Sequence, residues 1–592
     1  MPWFARLHSF FRRYHRAFGW GTIVVAVLAA VVLGSIGFQK NFHETGDKRQ
    51  YSTTTLVFMS LQMLLLDKGD VPDPVGWELE TARFLAVLAL SGTLLKTAAI
   101  LFRQQLDRFC LRLLRGHVVI CGLDEKGSQL ARDLLSQGMQ IVVIEKNNEH
   151  RRLPEVYDAG AFVIAGDAMQ PALLKRAGVE RAGRAFITAG EDATNVRIAA
   201  AAGEVCGRSR RSTPGPTIHV HCTDHRLFSL LERQPSSETS SRSVEFRRFD
   251  VELNHARILF EEHPLDRVPI AADSPLTVQL ILLGATRESD CLLLQLARLG
   301  HYANRRKPRV LVVTPDAAAH EQRFRFRFPR IDRCCHVEFH SRELDHAATM
   351  QDLTQWIAGP DLLTTIVICP PNENQALPVG LGLPPEVAER GIPVFVQFAQ
   401  QEESARLCLG EGRQLQLRPV GSLKGGSAEM VIQNDLDQLA QLIHQRYVEK
   451  RTAEGHSPAK FPAMRPWDEL PESYREANRH QADHISVKLR AVRCQAIPEV
   501  ERGSAELAVW TNDEIEILAQ MEHERWAANR WLEGWRQGPR DEVRKLNPTL
   551  VPWDELDEAT RDYDRSAVRQ IPQLLRLMKC VIVRHTIGSV RN

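Results

Sequence analysis

Residues 116–145 read GHVVICGLDEKGSQLARDLLSQGMQIVVIE and set the pattern for the central part of the chain. A short apolar strand, His117–Cys121, leads through a glycine turn into a helix predicted at Gly127–Gln137. A second apolar strand follows at Ile141–Ile144. Strands separated by helices of this length predict a parallel, doubly wound sheet. In such a sheet the first turn can hold a dinucleotide, and a carboxylate after the second strand can bind the ribose.

The alternation of strands and helices continues to His225, and its blocks follow a specific order. The blocks are Val118-Val119-Ile120-Cys121-Gly122, Val142-Val143-Ile144-Glu145, Ala165-Gly166-Asp167-Ala168 and Phe186-Ile187-Thr188. On these blocks the sequence resembles the RCK or TrkA-N family, the nucleotide- or ion-sensing domains that regulate potassium channels and transporters. The resemblance implies a Rossmann-like first RCK domain at residues 116–265.

The same resemblance implies a dinucleotide site, whose candidate residues are Gly122, Gly127, Glu145 and Asp167. The sequence departs from the family at Asp124, which replaces the central glycine of the phosphate turn. A side chain there blocks close approach of the backbone to a pyrophosphate, and its negative charge repels one. Two interpretations remain: a nucleotide site, or a sensor fold kept for assembly and force transmission.

A second series of strands and helices follows the first. Strands are predicted at Val278–Gly284, Arg309–Thr314, Thr364–Cys369 and Pro393–Phe398, and Asp290–Leu299 is predicted to be a helix. The first turn of this series lacks the glycine pattern. Residues 266–428 resemble a degenerate second RCK domain, which this family commonly places in tandem with the first.

The C-terminal part, residues 429–592, contains an internal repeat. The sequence Pro466-Trp467-Asp468-Glu469-Leu470 recurs unchanged as Pro552-Trp553-Asp554-Glu555-Leu556, and Leu439–Tyr447 aligns with Leu518–Trp526. A long, ordered repeat predicts two copies of one structural unit. We expect an all-α, pseudo-two-fold module with a seam between the copies in which a ligand can bind.

The second copy resembles the RyR domain, the repeat found in tandem in ryanodine receptors. The matching stretches are Met521–Trp526, Gly534–Pro539 and Asn547–Trp553. The resemblance implies an adenine nucleotide, or a cyclic nucleotide, held between Tyr447 and Trp526. Aromatic faces hold a base, and positively charged groups meet phosphates; the candidates for the second role are His444, Arg446, His523 and Arg525. The alternative is that all six residues belong to the core and interfaces of the module.

Residues 1–115 contain three apolar stretches. Two of them, Trp20–Phe38 and Phe84–Phe102, are long enough to span a bilayer, whereas Thr53–Leu66 has the length of a re-entrant helix. This order predicts a membrane α-helical pore domain with two spans and one re-entrant helix. A signal peptide at the first stretch, and a surface helix or outer cap at the middle one, are the alternatives.

Basic residues flank the two predicted spans, at Arg12, Arg13 and Arg16 before the first and at Arg108 and Arg112 after the second. The positive-inside rule therefore predicts cytoplasmic termini in a cell-membrane protein. The predicted filter follows the middle stretch and consists of Asp67, Lys68, Gly69 and Asp70. These residues do not form the Thr-Val-Gly-Tyr-Gly run of potassium channels, so we expect charged rings in a tetramer and a pore that is not of the potassium type.

Composition excludes several other classes of function. The 592 residues have a formal net charge of +2, which does not support a nucleic-acid partner, and no nucleophile–base motif indicates an enzyme. His219, His221, Cys222 and His225 lie on or beside one strand, where a structural role is favoured over a metal site. The sequence predicts a nucleotide-gated, homotetrameric channel for inorganic ions. The alternative is a membrane-tethered nucleotide sensor that permeabilises the membrane in a defence response.

Overall fold

The computed structural model describes residues 20–45, 51–63, 75–208, 215–232, 244–398, 417–421, 435–458, 461–503 and 505–584. The chain divides into two compact units. The first comprises residues 1–220 with 235–247, and the second comprises residues 221–234 with 248–592.

Three helices begin the first unit: α1 (Trp20–Glu44), α2 (Thr53–Met63) and α3 (Trp77–Leu113). Helix α1 packs against both others. A Cβ atom added at Gly37 would lie 2.8 Å from Leu79 Cβ, so the glycine allows α1 and α3 to approach closely. The Ser35 and Ser60 hydroxyls are 3.2 Å apart where α1 meets α2. Small residues and hydroxyl pairs of this kind are typical of helix contacts inside membranes.

The structure tests the predicted pore domain in part. Within the described residues, one helix, Gly21–Glu44, is long and apolar enough to cross a membrane by length and composition, and it contains most of the predicted first span. The predicted second span lies within α3, where several side chains are not described. The predicted re-entrant stretch forms α2 as far as Met63. The predicted filter residues Asp67, Lys68, Gly69 and Asp70 lie outside the described residues.

The predicted Rossmann-like sheet is present after α3. Its strand order is β3-β2-β1-β4-β5-β6, with β1 to β5 parallel, and β1 and β2 are almost fully buried. Such strands read as continuous apolar runs because helices cover both faces of the sheet. The strands are β1 (Val118–Cys121), β2 (Ile141–Glu145), β3 (Phe162–Ala165), β4 (Arg184–Ile187), β5 (Thr217–His221) and β6 (Glu245–Phe249). The helices are α4 (Glu125–Ser136), α5 (Leu153–Asp158), α6 (Pro171–Ala177), α7 (Asp192–Gly207) and α8 (His225–Glu232).

A second parallel sheet lies in the second unit, with the order β12-β11-β10-β7-β8-β9. The strands are β7 (Thr277–Leu283), β8 (Arg309–Thr314), β9 (His336–Ser341), β10 (Leu362–Ile368), β11 (Val394–Phe398) and β12 (Leu417–Gly421). The helices are α9 (Val251–Glu262), α10 (Arg287–Leu299), α11 (Ala317–Arg327), α12 (Ala347–Trp356), α13 (Ala376–Leu381) and α14 (Pro385–Glu389). The sequence analysis did not predict β9, although its polar and apolar residues alternate as in a half-buried strand. It did not predict β12 either, because Pro419 and Gly421 are unfavourable in strands.

The repeat module consists of two helix pairs, α15 (Gln438–Ala453) with α16 (Glu472–Ala491), and α17 (Asn512–Leu532) with α18 (Glu558–Leu577). The prediction of an all-α module was wrong in one respect. Each copy ends in a short strand, β13 (Cys494–Pro498) and β16 (Cys580–Arg584), and the two strands pair antiparallel. A further short pair, β14 (Arg536–Gln537) with β15 (Leu546–Asn547), lies in the second copy.

The second sheet and the repeat module share one hydrophobic core. Leu292 and Leu296 of α10 belong to the same cluster of buried side chains as Ile485 and Leu489 of α16 and Leu518 of α17. These two domains therefore form a single folded body within the second unit.

Candidate functional sites

The turn after β1 brings three of the four predicted nucleotide residues together. Gly122 has a φ of +97°, and a Cβ atom there would lie 2.5 Å from Ala189 Cα. A Cβ atom at Gly127 would overlap the carbonyl of Gly122. Gly122 therefore allows the turn to approach the loop after β4, and Gly127 allows α4 to pack closely against the turn. Glu145 joins them, because one carboxylate oxygen accepts a hydrogen bond from Leu123 N at 2.7 Å.

The N-terminus of α4 carries a carboxylate from the chain itself. Asp124 is the N-cap residue, and its Oδ1 accepts a hydrogen bond from Gly127 N at 2.8 Å. In nucleotide-binding folds this is where phosphate oxygens meet the backbone N–H groups. Asp124 and Glu145 thus place two carboxylates on the turn that would hold a pyrophosphate. Asp167 lies further along, where its hydrogen bonds with Met169 N and Lys146 lower its pKa.

The repeat of the sequence is reproduced in hydrogen bonds. His444 Nε2 lies 2.7 Å from the carbonyl oxygen of Arg465, and His523 Nε2 lies 2.9 Å from that of Val551. Each carbonyl belongs to the residue before a Pro-Trp-Asp-Glu-Leu turn. Both histidines therefore join the first helix of their copy to this turn, and their predicted contact with phosphate would compete with that bond.

Two pairs of equivalent arginines also make the same contacts in both copies of the repeat. Arg475 donates to the carbonyl oxygens of Trp467 and Asp468 at 3.1 Å each. Arg561 donates to those of Trp553 and Asp554 at 3.2 and 3.0 Å. In addition, Arg479 and Arg565 each lie 5.9 Å from the ring centre of the tryptophan in their own copy. The repeated residues thus form one structural unit that is built twice.

The remaining predicted ligand residues lie in different surroundings. Arg525 is buried and donates to both carboxylate oxygens of Glu522, which also binds the Lys488 ammonium at 2.6 Å. Arg446 pairs with Glu449 at the surface. Arg525 therefore serves a buried ion pair, whereas Arg446 faces solvent.

The two predicted stacking rings each have a guanidinium nearby. Arg451 lies 5.6 Å from the Tyr447 ring and 5.8 Å from the Tyr563 ring. Trp526 stacks on His523, and Arg530 lies over both Trp526 and Trp535. Among the described residues, no ring contact joins Tyr447 to Trp526. A ligand at these rings would have to bridge the two groups, and this remains a prediction.

The sequence analysis named histidines on and near β5, and the structure shows that two of them lie in different surroundings. His219 is buried against Phe186, and burial lowers its pKa to about 3. His221 instead lies with Asp250 and Glu252, and their ligand atoms are within 4.8 Å of one another. Sequence reasoning missed the two carboxylates because they follow about thirty residues later. Arg287 Nε approaches Glu252 at 3.5 Å and Arg248 Nη1 approaches Asp250 at 3.7 Å, so two guanidinium groups already neutralise this cluster.

Comparison with known families identifies two domains. Residues 118–226 match the TrkA-N domain, and residues 500–584 match the RyR domain. Both predicted resemblances are confirmed for these residues, although each match covers less than half of the chain.

Similarities to individual proteins are weaker or more distant. An uncharacterised protein of Methanothermus fervidus is 32% identical over 92 residues, which are 16% of this chain and 14% of the relative. The chain thus spans a small part of that relative's length. Among solved structures, the GsuK channel bound to NAD covers 71% of this chain and 83% of its own at 14% identity, with a TM-score of 0.38. GsuK bound to ADP covers 70% and 97% at 15% identity, with a TM-score of 0.37.

Proposed function

We propose that the protein is a ligand-regulated ion channel of the cell membrane, a homotetramer with both termini in the cytoplasm. In this proposal the RyR repeats bind a nucleotide-like ligand, and the TrkA-N domain passes the resulting change to the pore helices. The chain has no catalytic role in this scheme.

The main support for this proposal is the contact between the end of α3 and the TrkA-N domain. Helix α3 ends at Leu113, and four residues separate it from the start of strand β1 at Val118. Arg181 of the TrkA-N domain donates to the carbonyl oxygen of Leu111 at 3.1 Å, and its own carbonyl oxygen accepts from Gly116 N at 2.8 Å. Arg181 therefore holds both the last turn of α3 and the linker that follows it. A movement of the TrkA-N domain would therefore displace the end of α3 directly.

The surfaces of the N-terminal helices support a membrane location. Val25, Leu28 and Val32 of α1 are more than half exposed, as are Phe84 and Leu88 of α3. Apolar side chains exposed along two packed helices favour contact with lipid or with further subunits. The pairing of Lys40 with Glu78 at 3.0 Å lies near one end of α1, where charged groups can reach the membrane interface.

Ion flux tests this proposal. Purified full-length protein in lipid vesicles should conduct ions in response to at least one member of a panel of adenine nucleotides and cyclic nucleotides. Because the predicted filter lacks the potassium-channel run, we expect sodium to pass as well as potassium. Flux without any dependence on nucleotide would remove the ligand from the proposal. A folded tetramer without flux under every nucleotide would contradict channel function.

Substitution of Trp526 separates ligand binding from conduction. Trp526→Ala should raise the nucleotide concentration needed for half-maximal flux by about tenfold, because loss of a stacking partner costs about 1–3 kcal/mol. Trp526→Phe retains a ring and should cause a smaller shift. The single-channel current should not change in either variant. An altered current in Trp526→Ala would place this residue in the conduction path instead.

A further inference from the structure

An open cleft of about 710 Å³ lies in the second unit. Two segments form it: residues 307–333, which surround α11, and the loop after α17 in the RyR domain. Its charged lining residues are Lys307, Arg330, Arg333 and Arg536 with a single acid, Asp332. Four basic side chains from two domains thus meet at one cleft, in a protein whose net charge is close to zero.

The acid in this cleft does not neutralise the arginines. The Asp332 carboxylate accepts a hydrogen bond from Arg325 Nη1 at 2.7 Å. The Lys307 ammonium donates to the main-chain carbonyl oxygen of Asp332 at 2.9 Å and not to its carboxylate. Among the described residues, no carboxylate lies within ion-pair distance of Arg330, Arg333 or Arg536. The contrast with Arg325, Arg525 and the other paired arginines of this unit is clear.

The arginines also act on one another. Arg330 is half-buried, and burial together with the charges of Arg536 and Arg333 lowers its pKa. Like charges brought together in this way repel, so an anion between them relieves an unfavourable interaction. Guanidinium groups bind the oxygens of phosphates and carboxylates through two parallel hydrogen bonds, and a phosphate group brings more negative charge to the arginines than a carboxylate does.

We propose that this cleft binds a soluble anion that carries two or more phosphate groups. The volume of the cleft falls within the range of small-ligand sites and exceeds what one phosphate fills. Arg333 and Arg536 would clamp the outer phosphates from opposite domains, and Arg330 would lie at the base. Binding here requires neither the pore nor the Tyr447 and Trp526 rings, so the site goes beyond the proposed function.

Calorimetric titration of the full-length protein in detergent with inorganic pyrophosphate tests the site. We expect saturable binding that weakens as salt is raised, since mobile ions screen exposed charges. Arg333→Ala and Arg536→Ala should each raise Kd by about tenfold, whereas Arg576→Ala removes an exposed arginine outside the cleft and should leave Kd within about twofold. Because binding is measured directly and not through ion flux, this result does not depend on nucleotide gating.

Three results would overturn the proposal. The first is no binding of pyrophosphate at millimolar concentration, with the protein shown to be folded by its melting temperature. The second is an equal loss of affinity in Arg576→Ala, which would indicate general attraction to a basic protein. The third is tighter binding of a short single-stranded oligonucleotide that depends on the same arginines, which would assign the cleft to nucleic acid.

Discussion

Gly122 and Gly138 are both glycines with positive φ in the TrkA-N domain, at +97° and +75°, yet their surroundings differ. A Cβ atom at Gly122 would meet the backbone of Ala189, whereas one at Gly138 would meet no atom within 4 Å. Gly138→Ala should therefore cost about 1 kcal/mol of stability through backbone strain alone. Gly122→Ala adds a clash with main-chain atoms and should cost distinctly more.

Thermal unfolding of the two variants, measured side by side, gives the comparison. The expected order of melting temperatures is unaltered protein, Gly138→Ala and then Gly122→Ala. Equal melting temperatures for the two variants would show that the backbone near Ala189 yields easily to a methyl group.

Glu522 should make the second unit sensitive to acid. Burial opposes ionisation of this carboxyl group, but Arg525 and Lys488 lower its pKa to about 2. Since an unfolded glutamate titrates near about 4.3, the ionised group stabilises the fold above that pH. This contribution is lost as the pH falls from about 4.3 toward 2. Glu522→Gln lacks it at every pH.

The difference in melting temperature between unaltered protein and Glu522→Gln should therefore be large at pH 7 and shrink below pH ~4.3. Glu501→Gln, at an exposed position, should follow the unaltered protein throughout. A difference that stays constant with pH would mean that the Glu522 charge does not contribute to stability.

At the scale of elements, the repeat allows the same interaction to be removed from two equivalent places. The Arg475 side chain is 9% exposed and the Arg561 side chain 25%. Both guanidinium groups hold the carbonyl oxygens of a Pro-Trp-Asp-Glu-Leu turn. Hydrogen bonds to charged groups contribute about 1.5–3 kcal/mol, with the upper end expected where burial is greater. Arg475→Ala should thus destabilise more than Arg561→Ala.

Urea unfolding, followed by tryptophan fluorescence, compares the stability of the two variants. Arg569→Ala serves as a control, since this exposed arginine on α18 contacts no turn carbonyl. If Arg561→Ala proved the more damaging substitution, burial would not be what sets the strength of this bond.

The elements themselves were predicted well from sequence where apolar runs are short and bounded by glycine. Strands β1 to β5 were predicted within one or two residues, because their buried positions are almost all Val, Ile, Phe or Ala. The start of α4 was predicted two residues late. The sequence analysis considered Asp124 only as an obstacle to phosphate. The hydrogen bond by which Asp124 caps α4 became evident only in the structure.

The roles of the repeated residues were harder to predict. The spacing from Trp467 to Arg475 equals that from Trp553 to Arg561, so a signal for a conserved local contact was present. The partners of His444 and His523 are main-chain carbonyl oxygens, which every residue possesses. Sequence alone therefore cannot distinguish a histidine that holds a turn from one that meets a ligand.

At the scale of the whole molecule, buried charges join Arg248, at the end of β6, and Arg257 of α9 to the repeat module. Arg248 is 3% exposed and pairs with Glu472 and Glu476 of α16, while Arg257 pairs with Asp437 and Asp483. In sequence, α16 resembles an exposed helix because it is rich in charged residues. Its burial could not be predicted, since the countercharges lie more than two hundred residues away.

Arg248→Met should leave Glu472 and Glu476 buried with fewer partners and cost about 3–5 kcal/mol, the usual effect of breaking a buried ion pair. The second unit, which contains Arg248 and both glutamates, should then melt at a lower temperature in calorimetry. Arg323→Met, at an exposed position of α11, is the matched control. A melting temperature unchanged by Arg248→Met would indicate that these ion pairs do not contribute to the stability of the second unit.

The Asp124 cap has a consequence for how the protein can be regulated. A receptor for a diffusing phosphate changes its state as the concentration of that phosphate rises and falls. In the TrkA-N domain of this protein, the anion at the helix N-terminus is part of the covalent chain and is present at a fixed ratio of one per domain. We therefore expect the conformation of this turn to be independent of metabolite supply. The domain would then act as a passive coupling, and sensitivity to metabolites would have to enter the molecule elsewhere.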